Sequence, residues 1–230
     1  LDALHKNQDH DMEFLFGKEP HHEHSHHHEH RGILEIKEII RKTEMSENAR
    51  TIAWKIFEII ARAESKAHGI PVEQIHFHEV GAVDSIVDVI ALSVCLDDLK
   101  EKFRIQNIYV PFLCEGRGTV RCAHGLLPIP VPAVANIAQE NALKLSFIDE
   151  EGEFVTPTGA AFVAAVKTGD RLPHEFEICN VGLGAGKRTY NRPSILRAFL
   201  IEESSSENFD EKPSFLKDKI FELNTNIDDC

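Results

Sequence analysis

The sequence lacks the features that would tie it to the cell exterior, to a bilayer or to nucleic acid. Its five cysteines, Cys95, Cys114, Cys122, Cys179 and Cys230, are scattered and nowhere spaced as Cys-x-x-Cys. That excludes a disulfide framework and a thiolate zinc site of the usual spacing. Reduced thiols fit a cytoplasmic protein. The longest apolar run, 86–96, is broken by Asp88 and Ser93 and is far short of the roughly 20 residues that span a bilayer. No secretory pattern opens the chain. Positive charge is scarce, with 25 Lys and Arg against 38 Asp and Glu and a net charge of -13. Such an excess repels phosphodiester backbones and anionic lipid, so neither nucleic acid nor membrane is an expected partner, while metal cations are attracted. The sequence also has no serine nucleophile elbow, no His-Glu-x-x-His helix, no Walker loop and no dinucleotide fingerprint.

What is present is a chain of 230 residues, 42% of them hydrophobic, enough for one domain of above-average size or two small ones. Apolar residues at helical spacing predict helices over 33–42, 46–67 and 85–100. Further helices are expected over 133–141, with Pro132 in the first turn, and from 159 to 167. Strands are expected at 76–80, 107–114, 118–122, 143–148, 153–155, 175–180 and 194–201. Helices and strands alternate without a βαβ rhythm, which predicts an α+β fold: a mixed sheet with packed helices. The expected organisation is a polar, histidine-rich segment at 1–32, a mixed α/β domain at 33–203, a polar linker at 204–214 and the start of a truncated C-terminal domain at 215–230.

The most biased stretch holds His21, His22, His24, His26, His27, His28 and His30, seven of the chain's 14 histidines. Imidazole suits nickel, copper and zinc, and neutral histidine is the commonest metal ligand near neutral pH. Dense histidines in a loop offer overlapping low-order sites, suited to capture and hand-over. The bland alternative is a solvated linker or a purification tag, but the run is internal and interrupted by Glu23, Ser25 and Glu29.

A second cluster is His76-Phe77-His78-Glu79-Val80-Gly81-Ala82-Val83-Asp84-Ser85-Ile86-Val87-Asp88. In an extended segment His76 and His78 share a face, and on a helix Asp84 and Asp88 are neighbours. If Gly81 folds the strand back onto the helix start, two imidazoles and two carboxylates converge on a metal or acid/base site, with Glu79 between them. The aspartates read equally well as helix-terminal groups, since Ser85 and Asp88 match a capping box.

Three segments suit anions. Thr156-Pro157-Thr158-Gly159 precedes a helix whose free N–H groups accept phosphate or carboxylate, though an ordinary N-cap by Thr158 explains the same pattern. The stretch Gly182-Leu183-Gly184-Ala185-Gly186-Lys187-Arg188 reads as a turn between two strands or as an anion loop. Arg117, Arg121 and His124 form a basic patch in an acidic chain, fit for a phosphate-bearing ligand or for surface ion pairs.

Taken in order, the His76–Asp88 segment, Gly116-Arg117-Gly118, Cys122-Ala123-His124-Gly125-Leu126-Leu127-Pro128 and Thr156-Pro157-Thr158-Gly159-Ala160-Ala161 resemble the nickel-insertion proteins of the lactate racemase cofactor pathway. The resemblance runs from the histidine tract to about residue 200. It implies insertion of Ni(II) into a pyridinium bisthiocarboxylate mononucleotide, in a CTP-dependent reaction accompanied by Mg or Mn. It implies a nickel-pincer product used by lactate racemase, and a CTP-binding C-terminal domain acting in cis or in trans. On this reading the tract gathers nickel, His76, His78, Glu79, Asp84 and Asp88 receive it or serve the C–H deprotonation, and Arg117, Arg121, His124, Thr156, Thr158 and Gly159 hold the substrate. A homo-oligomer is expected. The family's N-terminal strand, with its Asp, Ser and Gly-rich stretch, has no counterpart here, so the chain is expected to be incomplete alone. Two other readings stand beside it: a nickel or zinc store or metallochaperone without chemistry, and a metal-dependent hydrolase, for which no ligand motif is present.

Overall fold

The computed structural model describes residues 31–77, 83–122, 125–186, 190, 192–203 and 219–224. The histidine tract, His78, Glu79 and His124 lie outside the described residues.

Helix α1 (Ile33–Lys42) turns Ile33, Ile36 and Ile40 inward, an apolar stripe at helical period. Helix α2 (Glu47–His68) starts on Ser46, whose hydroxyl accepts the Ala49 N–H at 3.0 Å and so satisfies a donor that the first turn leaves open. It stops at Gly69 in the left-handed conformation, a common helix end. Its buried face carries Ala49, Ala53, Ile56, Phe57, Ile60, Ala61 and Ala63. Alanines at this density bring neighbouring helices close, and α1, α3 (Val83–Phe103), α4 (Pro132–Glu140) and α5 (Pro157–Val166) all pack against α2. Two side chains lock the arrangement. Lys55 Nζ donates to the Ala165 carbonyl at 2.6 Å, and Asn136 Nδ2 donates to the Ala63 carbonyl at 3.1 Å.

The strands are short and divided. β1 (Arg31–Gly32) pairs with β2 (His76–Phe77) antiparallel. A four-stranded sheet runs in the order β3 (Ile105–Tyr109), β10 (Lys219–Asn224), β9 (Ile195–Glu203), β8 (Phe176–Ala185). Here β10 is parallel to β3 and antiparallel to β9. Thus a strand from the segment expected to open a further unit lies inside this sheet. A parallel pair joins β4 (Leu113–Arg117) to β7 (Leu145–Glu151), and a hairpin joins β5 (Thr119–Cys122) to β6 (Gly125–Pro128). Ile105, Ile108, Leu113 and Leu200 enter the same apolar core as the helices. The α+β class read from the sequence holds.

Four local expectations fail, each for a visible reason. The single strand expected at 107–114 is two strands, because Pro111 has no N–H to give a ladder and the Val110 N–H goes to the Gly169 carbonyl at 3.0 Å. No strand forms at 153–155, because the N–H groups of Phe154 and Val155 turn to the Glu115 carboxylate. The turn expected over 182–188 is, up to Ala185, part of a ten-residue strand. β6 was not expected at all, since its Leu126-Leu127-Pro128 lacks an alternating pattern.

Candidate functional site

The glycine stretch singled out in the sequence contributes Gly184 and Gly186 to a cleft. The cleft is lined by Cys114 of β4, Phe154, Gly184 near the end of β8, Gly186, Ser194 just before β9, and Ile195 and Leu196 at its start. The glycines do the shaping. Gly184 lies opposite Leu196 and Gly182 opposite Ala198, and directly opposed residues of an antiparallel pair share a face. On this face of the hairpin the β8 side is bare backbone, while the β9 side carries Leu196 and Ala198. A Cβ on Gly184 would meet nothing within 4 Å, so this position opens on empty space.

Phe154, also on the lining, packs against a second ring. The Tyr190 ring lies 4.3 Å from it, centroid to centroid and tilted by 33°. Its backbone is held by Glu115, which is fully buried. Glu115 Oε1 accepts the N–H groups of Phe154 and Gly116, each at 2.9 Å, and of Val155 at 3.2 Å. Oε2 has no hydrogen-bond partner among the described residues. Burial pushes the Glu115 carboxyl above its ordinary pKa, against the pull of the three N–H donors.

Two glycines permit this wrapping. A Cβ on Gly116 would stand 2.0 Å from the Gly152 carbonyl oxygen, and one on Gly152, where φ is +134°, would stand 2.7 Å from the Tyr190 ring. Arg192 reaches Glu150 at 3.8 Å, closing the same corner from outside. Cys114, Glu115, Phe154 and Tyr190 escaped the sequence reading. The usable signal was a lone carboxylate ending the apolar run Val110-Pro111-Phe112-Leu113-Cys114 before a glycine.

The helix start next to the cleft is capped by Thr156, not Thr158: its hydroxyl accepts the Gly159 N–H at 3.2 Å. Thr158 and Gly159 sit in the first turn of α5. Arg117 ends β4, is exposed, and donates from Nε to the Ile148 carbonyl at 3.2 Å. Arg121 is exposed on β5. Of the second cluster, His76 lies in β2, and Asp84 and Asp88 are exposed on α3. That helix begins at Val83, so Ser85 is inside the first turn and the expected capping box does not form. Instead Asp84 Oδ1 accepts the Ser85 N–H at 2.9 Å. Among the described residues, no group of three or more His, Cys, Asp or Glu is placed to hold a metal ion, and no helix is long and apolar enough to cross a membrane.

The fold is α+β, with a cleft lined by Phe154, by the glycines at the end of β8 and by the start of β9. The chain belongs to the nickel insertion protein family, which it matches over residues 4–230. The pyridinium-3,5-bisthiocarboxylic acid mononucleotide nickel insertion protein of Alkaliphilus metalliredigens is 46% identical over 209 residues, 87% of this chain and 48% of that protein. Proteins of the same name from Acetivibrio thermocellus and Akkermansia muciniphila are 40% and 36% identical, over 91% and 95% of this chain and 49% and 51% of theirs. The chain spans about half the length of the curated relatives it matches. No solved structure matches it.

Proposed function

We propose that this chain binds Ni(II) and takes part in inserting it into pyridinium-3,5-bisthiocarboxylic acid mononucleotide, as the substrate-facing half of a nickel chelatase. Membership of the nickel insertion family carries the reading, with relatives named for that substrate at up to 46% identity among those compared. In the reaction a ring C–H bond breaks heterolytically. The electron pair passes to nickel, the proton passes to a base, and the two thiocarboxylates flank the new metal–carbon bond. Nickel is here a substrate. His21, His22, His24, His26, His27, His28 and His30 gather it, and neutral imidazole suits that task near neutral pH. His76, His78, Glu79, Asp84 and Asp88 receive the metal or take the proton. Arg117, Arg121, His124 and the α5 start at Thr156, Thr158 and Gly159 hold the substrate phosphate. CTP with Mg or Mn drives the step on the part of the relatives that this chain does not span, the protein works in the cytoplasm as a homo-oligomer, and the product serves lactate racemase.

The test is to combine this chain, nickel, CTP with magnesium and the mononucleotide, with and without the remaining half of a relative, and to look for the nickel-loaded product by mass spectrometry. Product that needs this chain and is lost in His78→Ala supports insertion. The histidine tract favours a second reading, a nickel store. Tight nickel binding that depends on residues 21–30, with no product under any combination, would establish that reading and reject insertion.

A further inference from the structure

We infer that the cleft lined by Phe154, by the bare backbone of Gly184 and Gly186 and by Leu196 is the seat of the substrate's pyridinium ring, with the Cys114 thiol at its margin. The inference rests on the insertion reading and goes further by assigning the ring a place that none of the expected site residues occupies.

The cleft has the chemistry of a slot for a flat cationic heteroaromatic ring. One wall is the Phe154 side chain, backed by Tyr190 at 4.3 Å. A ring cation is drawn to an aromatic face, and more strongly where water is excluded. The Glu115 carboxylate fixes the Phe154 backbone through a 2.9 Å hydrogen bond, so the wall is set before a ligand arrives, which lowers the ordering cost of binding. The β8–β9 part of the lining combines bare backbone at Gly184 and Gly186 with Ser194, Ile195 and Leu196, and Gly184 leaves open the space a side chain would fill. A planar ring needs such a bare surface to lie close to the chain, which is what glycine at a ligand provides. Among the described residues, the polar side chains on the lining are the Cys114 thiol and the Ser194 hydroxyl, both small and neutral. The Cys114 side chain is buried.

Gly184→Val tests the assignment without disturbing the fold. It sits in a strand, where a β-branched residue is favoured, and its Cβ points into open space. The ligand is pyridinium-3,5-bisthiocarboxylic acid mononucleotide, titrated by calorimetry without nickel or CTP, with circular dichroism as the fold check. We expect Gly184→Val to abolish binding, Phe154→Leu to weaken it about tenfold and Phe154→Trp to retain it. In parallel, alkylation of the cysteines is followed by peptide mass spectrometry. The ligand should slow modification of Cys114 about tenfold or more, while Cys95 and Cys179, both exposed, react at unchanged rates. Binding that is unaltered in both Gly184→Val and Phe154→Leu overturns the assignment, and so does binding that leaves Cys114 equally reactive while Gly184→Val binds normally. In either case, nickel-loaded product still formed by the unaltered chain leaves the insertion reading standing. If the unaltered chain neither binds nor converts the mononucleotide, both fall.

Discussion

The Phe154 backbone N–H donates to Glu115 Oε1 at 2.9 Å, so a fully buried acid sets the aromatic wall of the cleft. The same oxygen holds Gly116 and Val155, which ties β4 to the segment leading into α5. Removing it in Glu115→Ala strands three N–H groups, each costing about 1–3 kcal/mol when left unpaired in the interior. We expect a clear fall in the unfolding midpoint, together with loosening of the Phe154–Tyr190 contact, visible as a change in near-ultraviolet circular dichroism.

Glu115 also gives the stability a pH dependence of known sign. Burial raises its folded-state pKa above the ordinary value of 4.5. Between that value and the folded value the native state binds more protons than the unfolded one, so stability falls as pH rises through the window, and below it the cost is absent. Glu115→Gln keeps one carbonyl oxygen for the three donors and cannot ionise. Relative to this variant, the unaltered chain should lose stability on going from about pH 4 to about pH 8, measured as the difference in thermal midpoint between the two proteins. A difference that is flat or of opposite sign across that range would show that burial does not raise the folded-state pKa of this carboxyl.

The corner around the cleft has no room for even a methyl group. Gly116→Ala would place a Cβ 2.0 Å from the Gly152 carbonyl oxygen, and Gly152→Ala would combine a φ of +134° with a 2.7 Å approach to Tyr190. Both substitutions should destabilise by about 3 kcal/mol or more, the size reserved for overpacking and backbone strain. The double substitution should cost less than the sum, because both clashes are relieved by one displacement of 150–154. Chemical denaturation of the single and double variants reads both quantities.

How far the sequence foretold this arrangement depends on the range of the signals. The helices were legible because their determinants are local: Ser46 and Gly69 bracket α2, and its apolar positions recur at one period. The strands were less so. β3 and β4 read as one run because Pro111 is the sole interruption in an apolar stretch, and β8 read as a turn because glycine in a strand looks like a breaker until its partner strand supplies the ladder. The cleft was half visible. Its glycine stretch was flagged as a turn or anion loop, while Cys114 and Phe154 carried no signal of a site. The approach of Phe154 to β4 depends on Glu115 accepting from backbone about 40 residues away, and no periodicity reports such a contact.

The α5 start separates two candidates that sequence spacing could not. Thr156, not Thr158, accepts the Gly159 N–H. Thr156→Ala should therefore cost about 1 kcal/mol, the usual loss for an N-cap, with Thr156→Ser close to neutral. Thr158→Ala should stay within about 0.5 kcal/mol. Equal losses at the two positions would mean that the first turn is held in some other way.

Nickel capture and nickel transfer should separate by residue and by pH. If residues 21–30 gather the metal through neutral imidazole, binding measured by equilibrium dialysis should collapse as the histidines take up protons below about pH 6.5. Deleting the tract should remove most of the bound nickel at neutral pH and flatten the pH profile. Asp84 and Asp88 are exposed on α3, and carboxylates prefer harder cations than imidazole does. Replacing both with asparagine should thus leave the dialysis result unchanged while lowering product formation, because these groups act after capture. If the double variant instead loses nickel as the deletion does, the two clusters form one binding site and the division between gathering and transfer is wrong. If it loses neither nickel nor product, the aspartates are helix-terminal charges, and the proton must leave the substrate ring by another group.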